Sequence, residues 1–241
     1  MSDATPTLFD LPASKSAQPS YLREHRKRLR ERFLKGGAAA VPDYEMLELV
    51  LFRAIPRRDV KPVARRLMDA FGNFAAVLSA PVDRLADIEG VGLAVAAELK
   101  IVEAASHRLA QSRVLGRPVV SSWDALVTYC RTAMAHRETE QFRVLYLDVK
   151  NAVIADEEQG SGTVNHVPVY PREVLKRALE LNAGALILVH NHPSGDTTPS
   201  QADIAVTRQI ETGAEALSIA LHDHLIIGRS DALSLRAEGY L

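Results

Sequence analysis

The chain has 241 residues, more than the roughly 150 of a typical domain, which suits two modest domains or one large one. Its composition, 47% hydrophobic and 24% charged with 13 Gly and 12 Pro, is that of a globular protein and excludes collagen-like and wholly disordered chains. The formal net charge of −1 hides an asymmetry: residues 20–114 carry 17 Lys and Arg against 12 Asp and Glu, whereas residues 115–241 carry 11 against 16. The two halves are expected to do different jobs.

No apolar run approaches the roughly 18 residues that span a bilayer, and Met1-Ser2-Asp3-Ala4-Thr5-Pro6 lacks the basic end and apolar core of a secretory signal. No membrane partner and a cytoplasmic location are therefore expected. The single cysteine, Cys130, excludes a disulfide framework and every zinc site built on paired cysteines, so any metal must be held by His, Asp and Glu.

Residues 1–19 are rich in Ser, Pro, Ala and Thr without periodicity and are expected to form a flexible tail. From Tyr21 to Leu34 the spacing predicts a helix with seven basic residues, counted as far as Lys35, and Gly36-Gly37 stops it. Asp43 fits the N-cap of a helix over 44–55 ended by Pro56, and Asp59 opens another over 61–71. A long helix ends near Ser112, and Arg117-Pro118 is the expected junction.

Within this half, residues 85–100 (LADIEGVGLAVAAELK) have helix-hairpin-helix spacing, with a degenerate partner at Gly72-Asn73. Gly90 and Gly92 permit a tight turn, Val91 plugs between the helices, and free N–H groups at the start of the second helix suit a phosphate. Residues 20–114 thus read as an all-α helix-hairpin-helix domain with nonspecific DNA as an expected partner. Gly90, Val91, Gly92, Lys100 and the basic run 26–30 are the candidate contacts. A plain helix-helix corner explains the glycines equally well, and Glu24 and Glu31 make the basic run fit a solvated face.

Beyond the junction the period changes. Ser121 or Ser122 caps a helix through Ala135, residues 142–149 form a strand, and Lys150-Asn151 turns it into a hairpin with 152–158. Pro171 suits the first turn of a helix, residues 185–190 (ALILVH) read as a buried strand, and a helix from Ser200 to about Thr212 precedes strands near 217–221 and 224–228. Residues 119–241 therefore form an α/β domain, a mixed sheet flanked by helices.

The informative string is VHNHPSGDTTPSQAD, residues 189–203. His190 and His192, one residue apart at a strand end, point to the same face because side chains alternate with period two. Asp203 lies in the first turn of the next helix, and the loop between folds back. Two His and one carboxylate make the three-ligand pattern of a catalytic zinc, which keeps its fourth position for water. Packing explains a lone His-x-His pair, and a capping box explains Ser200 and Asp203 without chemistry. His222-Asp223-His224 is a rival His-x-His, read with His166 as structural. A base deaminase would need cysteine pairs that are absent, and no His-Glu-x-x-His occurs.

Taken together, His190, His192, Pro193, Ser200 and Asp203 resemble the JAMM motif of JAB/MPN metallopeptidases. With Asn191, Ser194, Gly195 and Pro199 the string is similar to the bacterial RadC family, once called DNA repair proteins. The likeness extends over residues 162–196, 223–228 and into the helical half, covering nearly everything after residue 20. It departs at Thr197, where proline is expected in many relatives. The resemblance implies a JAB/MPN, cytidine-deaminase-like fold for residues 119–241 and one Zn2+ per chain held by His190, His192 and Asp203. It implies that Glu157, selected by the Glu-x(4)-Gly-Thr spacing to Gly162-Thr163, is the base acting on the zinc-activated water, with Glu158 as fallback. Ser200 would hydrogen-bond a tetrahedral oxyanion. The expected activity is zinc metallopeptidase hydrolysis of an amide or isopeptide bond in an unidentified peptide or protein. The alternatives are a DNA-repair-associated protein and a metal-stabilised interaction module without turnover.

Overall fold

The computed structural model describes residues 20–161 and 168–241, so the expectations for the 1–19 tail, Gly162, Thr163 and His166 lie outside the described residues. The first half is helical: α1 (Ser20–Gly36), α2 (Asp43–Ala54), α3 (Lys61–Phe71), α4 (Phe74–Ser79), α5 (Val82–Ala86) and α6 (Leu93–Gln111). Their apolar stripes converge on one core in which Leu47, Leu51, Leu67, Val77, Leu85 and Leu99 are fully buried.

In α1 the buried residues Leu22, Arg26 and Leu29 follow helical spacing, so one member of the basic run faces inward. The Arg26 guanidinium donates to the carbonyls of Phe52 and Ile55 at the open C-terminal end of α2 and to that of Arg58 in the loop beyond it. Asp43 is the first residue of α2 and Pro42 its N-cap, so the expected Asp43 cap is not formed.

The α5–α6 connection is a tight hairpin. Gly90 has φ +91°, a conformation that a side chain disfavours, and an added Cβ would come within 2.9 Å of Val63 Cγ2. Val91 is buried between the helices, and Gly92 caps α6 without a side chain. The partner turn at Gly72-Asn73 joins α3 to α4, where Asn73 Oδ1 accepts from the Ala76 N–H. Lys100 points inward, donating to the Leu78 carbonyl and to Glu103, and is not presented at the hairpin tip.

The second half contains α7 (Trp123–Met134), β1 (Gln141–Leu147), β2 (Val153–Ser161), α8 (Pro171–Glu180), β3 (Ala185–Asn191), α9 (Gln201–Ala216), β4 (Ala220–Ile227) and β5 (Ala232–Ser234). The sheet order is β2-β1-β3-β4-β5; β1 runs antiparallel to β2 and β3, β3 and β4 are parallel, and β5 is antiparallel. One face packs on α7 through Leu126, Met134, Leu145 and Ile187, and the other packs on α8 and α9 through Val144, Leu188, Ile210 and Ala214. All seven residues of β3 are buried, as a strand covered on both faces requires.

The hairpin turn falls where the sequence places it, with Asn151 at φ +60°. Two strands expected near 217–221 and 224–228 are a single strand: Ser218 adopts φ +59° in the turn after α9, and β4 starts at Ala220. The short β5 was not foreseen, and α9 runs to Ala216 rather than ending near Thr212.

Candidate metal centre

Because β3 and β4 are parallel, the chain crosses from one to the other through α9. This crossover places the loop after β3 and the N-terminus of α9 at the carboxyl end of the sheet, where open α/β sheets bind ligands. His190 ends the α9-facing row of β3, after Leu186 and Leu188. His192 follows by one pleat, its N–H donating to the Ile227 carbonyl at 3.0 Å. The loop then reverses: Gly195 sits at φ +90° with its N–H on the His192 carbonyl, and Arg229 holds the Pro193 carbonyl at 3.0 Å.

This reversal brings Asp203 over the histidines. His190 Nε2 lies 3.0 Å from His192 Nε2 and 3.4 Å from Asp203 Oδ1, and His192 Nε2 lies 3.7 Å from Asp203 Oδ2. Neighbouring ligands of a tetrahedral centre with bonds of about 2.0–2.1 Å are about 3.3 Å apart, so the three distances bracket what a zinc-type ion requires. The donor set, two imidazoles and a carboxylate, suits the same ion. His192 Nδ1 faces the Asp196 carbonyl at 2.6 Å; a carbonyl only accepts, so the ring proton is there and Nε2 presents its lone pair to the cluster.

The capping-box explanation of Ser200 and Asp203 also holds. Ser200 accepts the Asp203 N–H at 3.1 Å, and its own N–H and hydroxyl donate to Asp203 Oδ2 at 2.7 and 2.6 Å. One carboxylate thus starts α9 and faces the histidines, and the cap fixes its orientation. Burial works against its charge, but the facing imidazoles of His190 and His192 and the hydrogen bond from Ser200 outweigh it and hold the pKa far below the usual carboxylate range. The facing Asp203 carboxylate favours the protonated ring and raises the pKa of His192 against burial.

The cluster opens into a pocket of about 460 Å3 lined by Glu140, Phe142, Val169, Ser200, Val206 and Gln209 among others. Glu157 is not brought to it. As alternation requires, Glu157 faces the α8 side of β2 while Asp156 and Glu158 face Arg143 and Gln141. β2, however, is the edge strand two places from β3, and Arg177 of α8 grips the Glu157 carboxylate with Nε and Nη2. That grip lowers the pKa of Glu157, against a smaller opposing effect of burial. Glu158 accepts from Gln141 on the opposite face.

Among the described residues, the acidic residue that lines the pocket beside the cluster is Glu140, which sequence reasoning missed. It lies two residues before Phe142, which pairs with His190, so it falls on the same face in the row of His192. The signal that finds it is the β1–β3 register, a long-range pairing.

His224, read as structural, lies next to the cluster with its Nε2 2.8 Å from His190 Nδ1. His222 is the bulged residue of β4 and bonds Asn151 instead.

Residues 120–240 match the family model of the RadC-like JAB domain, and residues 23–97 match that of the UPF0758 N-terminal region. The chain belongs to the RadC family. It is 71% identical over 223 residues to the UPF0758 protein of Ruegeria pomeroyi, covering 92% of this chain and all of that protein. It is 72% identical over 213 residues to the UPF0758 protein of Rhodobacter capsulatus, covering 88% of this chain and all of the relative. The RadC-like JAB domain places the C-terminal half with hydrolases of the JAMM kind, and the five-stranded mixed sheet flanked by helices is the JAB/MPN fold. Among the described residues, no helix of this RadC protein is long and apolar enough to cross a membrane.

Proposed function

We propose that this RadC protein is a zinc-dependent hydrolase that cleaves an amide or isopeptide bond in a peptide or protein. The observation that carries the proposal is the convergence of His190 Nε2, His192 Nε2 and the Asp203 carboxylate at ligand spacing on the floor of the pocket. When bound, zinc supplies a Lewis acid that brings the pKa of its water to about 7. His190, His192 and Asp203 would hold the ion where it could supply this chemistry to the pocket.

The residues of the chain do the rest. Glu140, at the pocket wall in the His192 row, takes a proton from the attacking water and delivers it to the leaving amine, the role that the Glu-x(4)-Gly-Thr spacing assigned to Glu157. Ser200, at the start of α9, donates its hydroxyl to the developing oxyanion once substrate draws it from Asp203, a contribution of about 3–4 kcal/mol for such donors. Phe142, Val169, Ala205 and Val206 form an apolar wall that receives an uncharged substrate side chain and excludes water from the reacting bond.

The test is hydrolysis of a library of peptides and isopeptide-linked peptides by zinc-loaded full-length protein, with Glu140→Gln and Glu157→Gln in parallel. Glu140→Gln should keep zinc and lose turnover by at least about 100-fold, while Glu157→Gln keeps both. Loss of turnover in Glu157→Gln alone would return the base to β2, and no cleavage of any substrate by zinc-loaded protein would favour the interaction-module reading.

Nonspecific DNA contact is a second reading, supported by the start of α6, where the N-cap Gly92 offers no side chain to the first N–H groups, and by the exposed Leu93 there. Duplex affinity should fall with rising salt and fall further in Leu93→Glu, which sets a negative charge against the phosphate. Equal affinity in Leu93→Glu would remove the hairpin from the interface.

A further inference from the structure

We propose that His224 and Thr207 are positioning residues that fix the ring tautomer of His190 and so aim its Nε2 lone pair at the metal. The inference deepens the metal-site reading above and rests on it.

The two histidine ligands are oriented in different ways. His192 uses a backbone carbonyl, that of Asp196, which leaves no choice of tautomer. His190 Nδ1 meets another imidazole, His224 Nε2, at 2.8 Å, and an imidazole accepts or donates according to where its own proton lies. The direction must therefore be set further along.

His224 is 0% exposed, and its Nδ1 lies 2.6 Å from Thr207 Oγ1. The Thr207 hydroxyl in turn contacts the carbonyl of Asp203, one turn earlier in α9. That carbonyl only accepts, so the single hydroxyl proton points to it and Thr207 Oγ1 receives the proton of His224 Nδ1. His224 Nε2 is then the lone pair and His190 Nδ1 carries hydrogen, which leaves Nε2 of the neutral His190 ring as the atom that would bind the metal. The reverse order would set two lone pairs against each other at the Thr207–Asp203 contact.

One carbonyl thus dictates the tautomer of a ligand three groups away, and its residue, Asp203, is itself a ligand. The chain joins β3, β4 and α9, the three elements that supply or support the site. Phe142 closes it, stacked on His190 at 6.2 Å and edge-on to His224 at 5.5 Å between ring centroids. Neither His224 nor Thr207 lines the pocket, so neither touches substrate.

The test measures zinc affinity of the full-length chain by competition with a chromophoric chelator, for wild type, His224→Phe, Thr207→Val and Thr207→Ser. It is paired with imidazole 15N shifts of His190 in the metal-free protein. Loss of partners of this kind weakens metal binding about 10–100-fold, and this is expected for His224→Phe and Thr207→Val. Thr207→Ser, which keeps the hydroxyl, should bind as wild type does. The 15N shifts should show hydrogen on Nδ1 in wild type and Thr207→Ser, and a tautomer mixture in Thr207→Val. Thr207→Val is isosteric and decides the matter if His224→Phe does not fold. Wild-type zinc affinity and an unchanged His190 tautomer in folded Thr207→Val would overturn the proposal while leaving the metal site standing. A wild-type protein that takes up no zinc would overturn both.

Discussion

Asp203 has two jobs, and they separate in a thermal-melting experiment. In the metal-free protein its carboxylate closes the capping box of α9, accepting from the Ser200 N–H at 2.7 Å and the Ser200 hydroxyl at 2.6 Å. Removing such a cap costs about 1 kcal/mol, within a range of about 0.5–2. For a chain of this size that is a fall of roughly 3 °C in Tm. Asp203→Ala should show this loss with chelator present, and Asp203→Asn, whose amide oxygen still accepts from Ser200 N–H, should show less. His192→Ala loses the hydrogen bond to the Asp196 carbonyl, about 1 kcal/mol, together with the Nε2 contacts to His190 and Asp203. Zinc at 100 times its Kd adds about 2.7 kcal/mol to a protein that binds it only when folded, or roughly 8 °C. Wild type should gain this shift in differential scanning calorimetry, and neither Asp203→Ala nor His192→Ala should. A zinc-induced rise that survives in either variant would refute the assignment of the ligands. An unchanged metal-free Tm in Asp203→Ala would refute the capping role.

Three further outcomes follow from the same geometry. The depressed pKa of Asp203 contributes stability that is fully present above about pH 4 and fades as pH falls below it. The raised pKa of His192 contributes stability that is full below about pH 6.5 and is lost as pH rises through the raised value. The metal-free Tm difference between wild type and His192→Ala should thus shrink as pH climbs past neutrality, and a flat difference would contradict the His192–Asp203 contact. The Asp156 side chain is buried, paired with Nε and Nη2 of the Arg143 guanidinium at 2.9 and 3.0 Å, and accepts from Tyr129. Asp156→Ala should cost about 3–5 kcal/mol by denaturant unfolding, and a loss under about 1 would show the network to be dispensable. Arg26→Ala should cost at least about 2 kcal/mol by removing the donor to the Phe52 and Ile55 carbonyls at the end of α2 and to the Arg58 carbonyl in the loop that follows. A fall in duplex affinity at unchanged stability would instead restore Arg26 to the nucleic-acid surface.

What the sequence reveals and what it withholds divide along the range of the interactions. Helix periodicity, the two-residue period that puts His190 and His192 on one face, and the Ser200-x-x-Asp203 box are local signals, and each reappears in the structure. The alternation that sets Glu157 apart from Asp156 and Glu158 was legible too. That β2 lies at the sheet edge and that Arg177 holds Glu157 there were not, because strand order and the α8 contact are set by distant residues. Glu140 was hidden for the same reason: only the Phe142–His190 pairing brings its row beside His192. His224 was visible as half of a second His-x-His, but local alternation gives both histidines one face. The bulge at His222 breaks that alternation, leaving His224 on His190 and turning His222 to Asn151. Lys100 and Arg26 looked like surface cations because a charge in a sequence carries no label for burial, whereas the open carbonyls of Leu78 and of the α2 end draw them inward.

The measurement that tests the central claim most directly is zinc content of the purified full-length chain, wild type beside His192→Ala and Asp203→Ala. About one zinc per wild-type chain, lost in both folded variants, is the predicted result. No zinc in wild type after metal is added, or full zinc retained in the variants, would contradict the account.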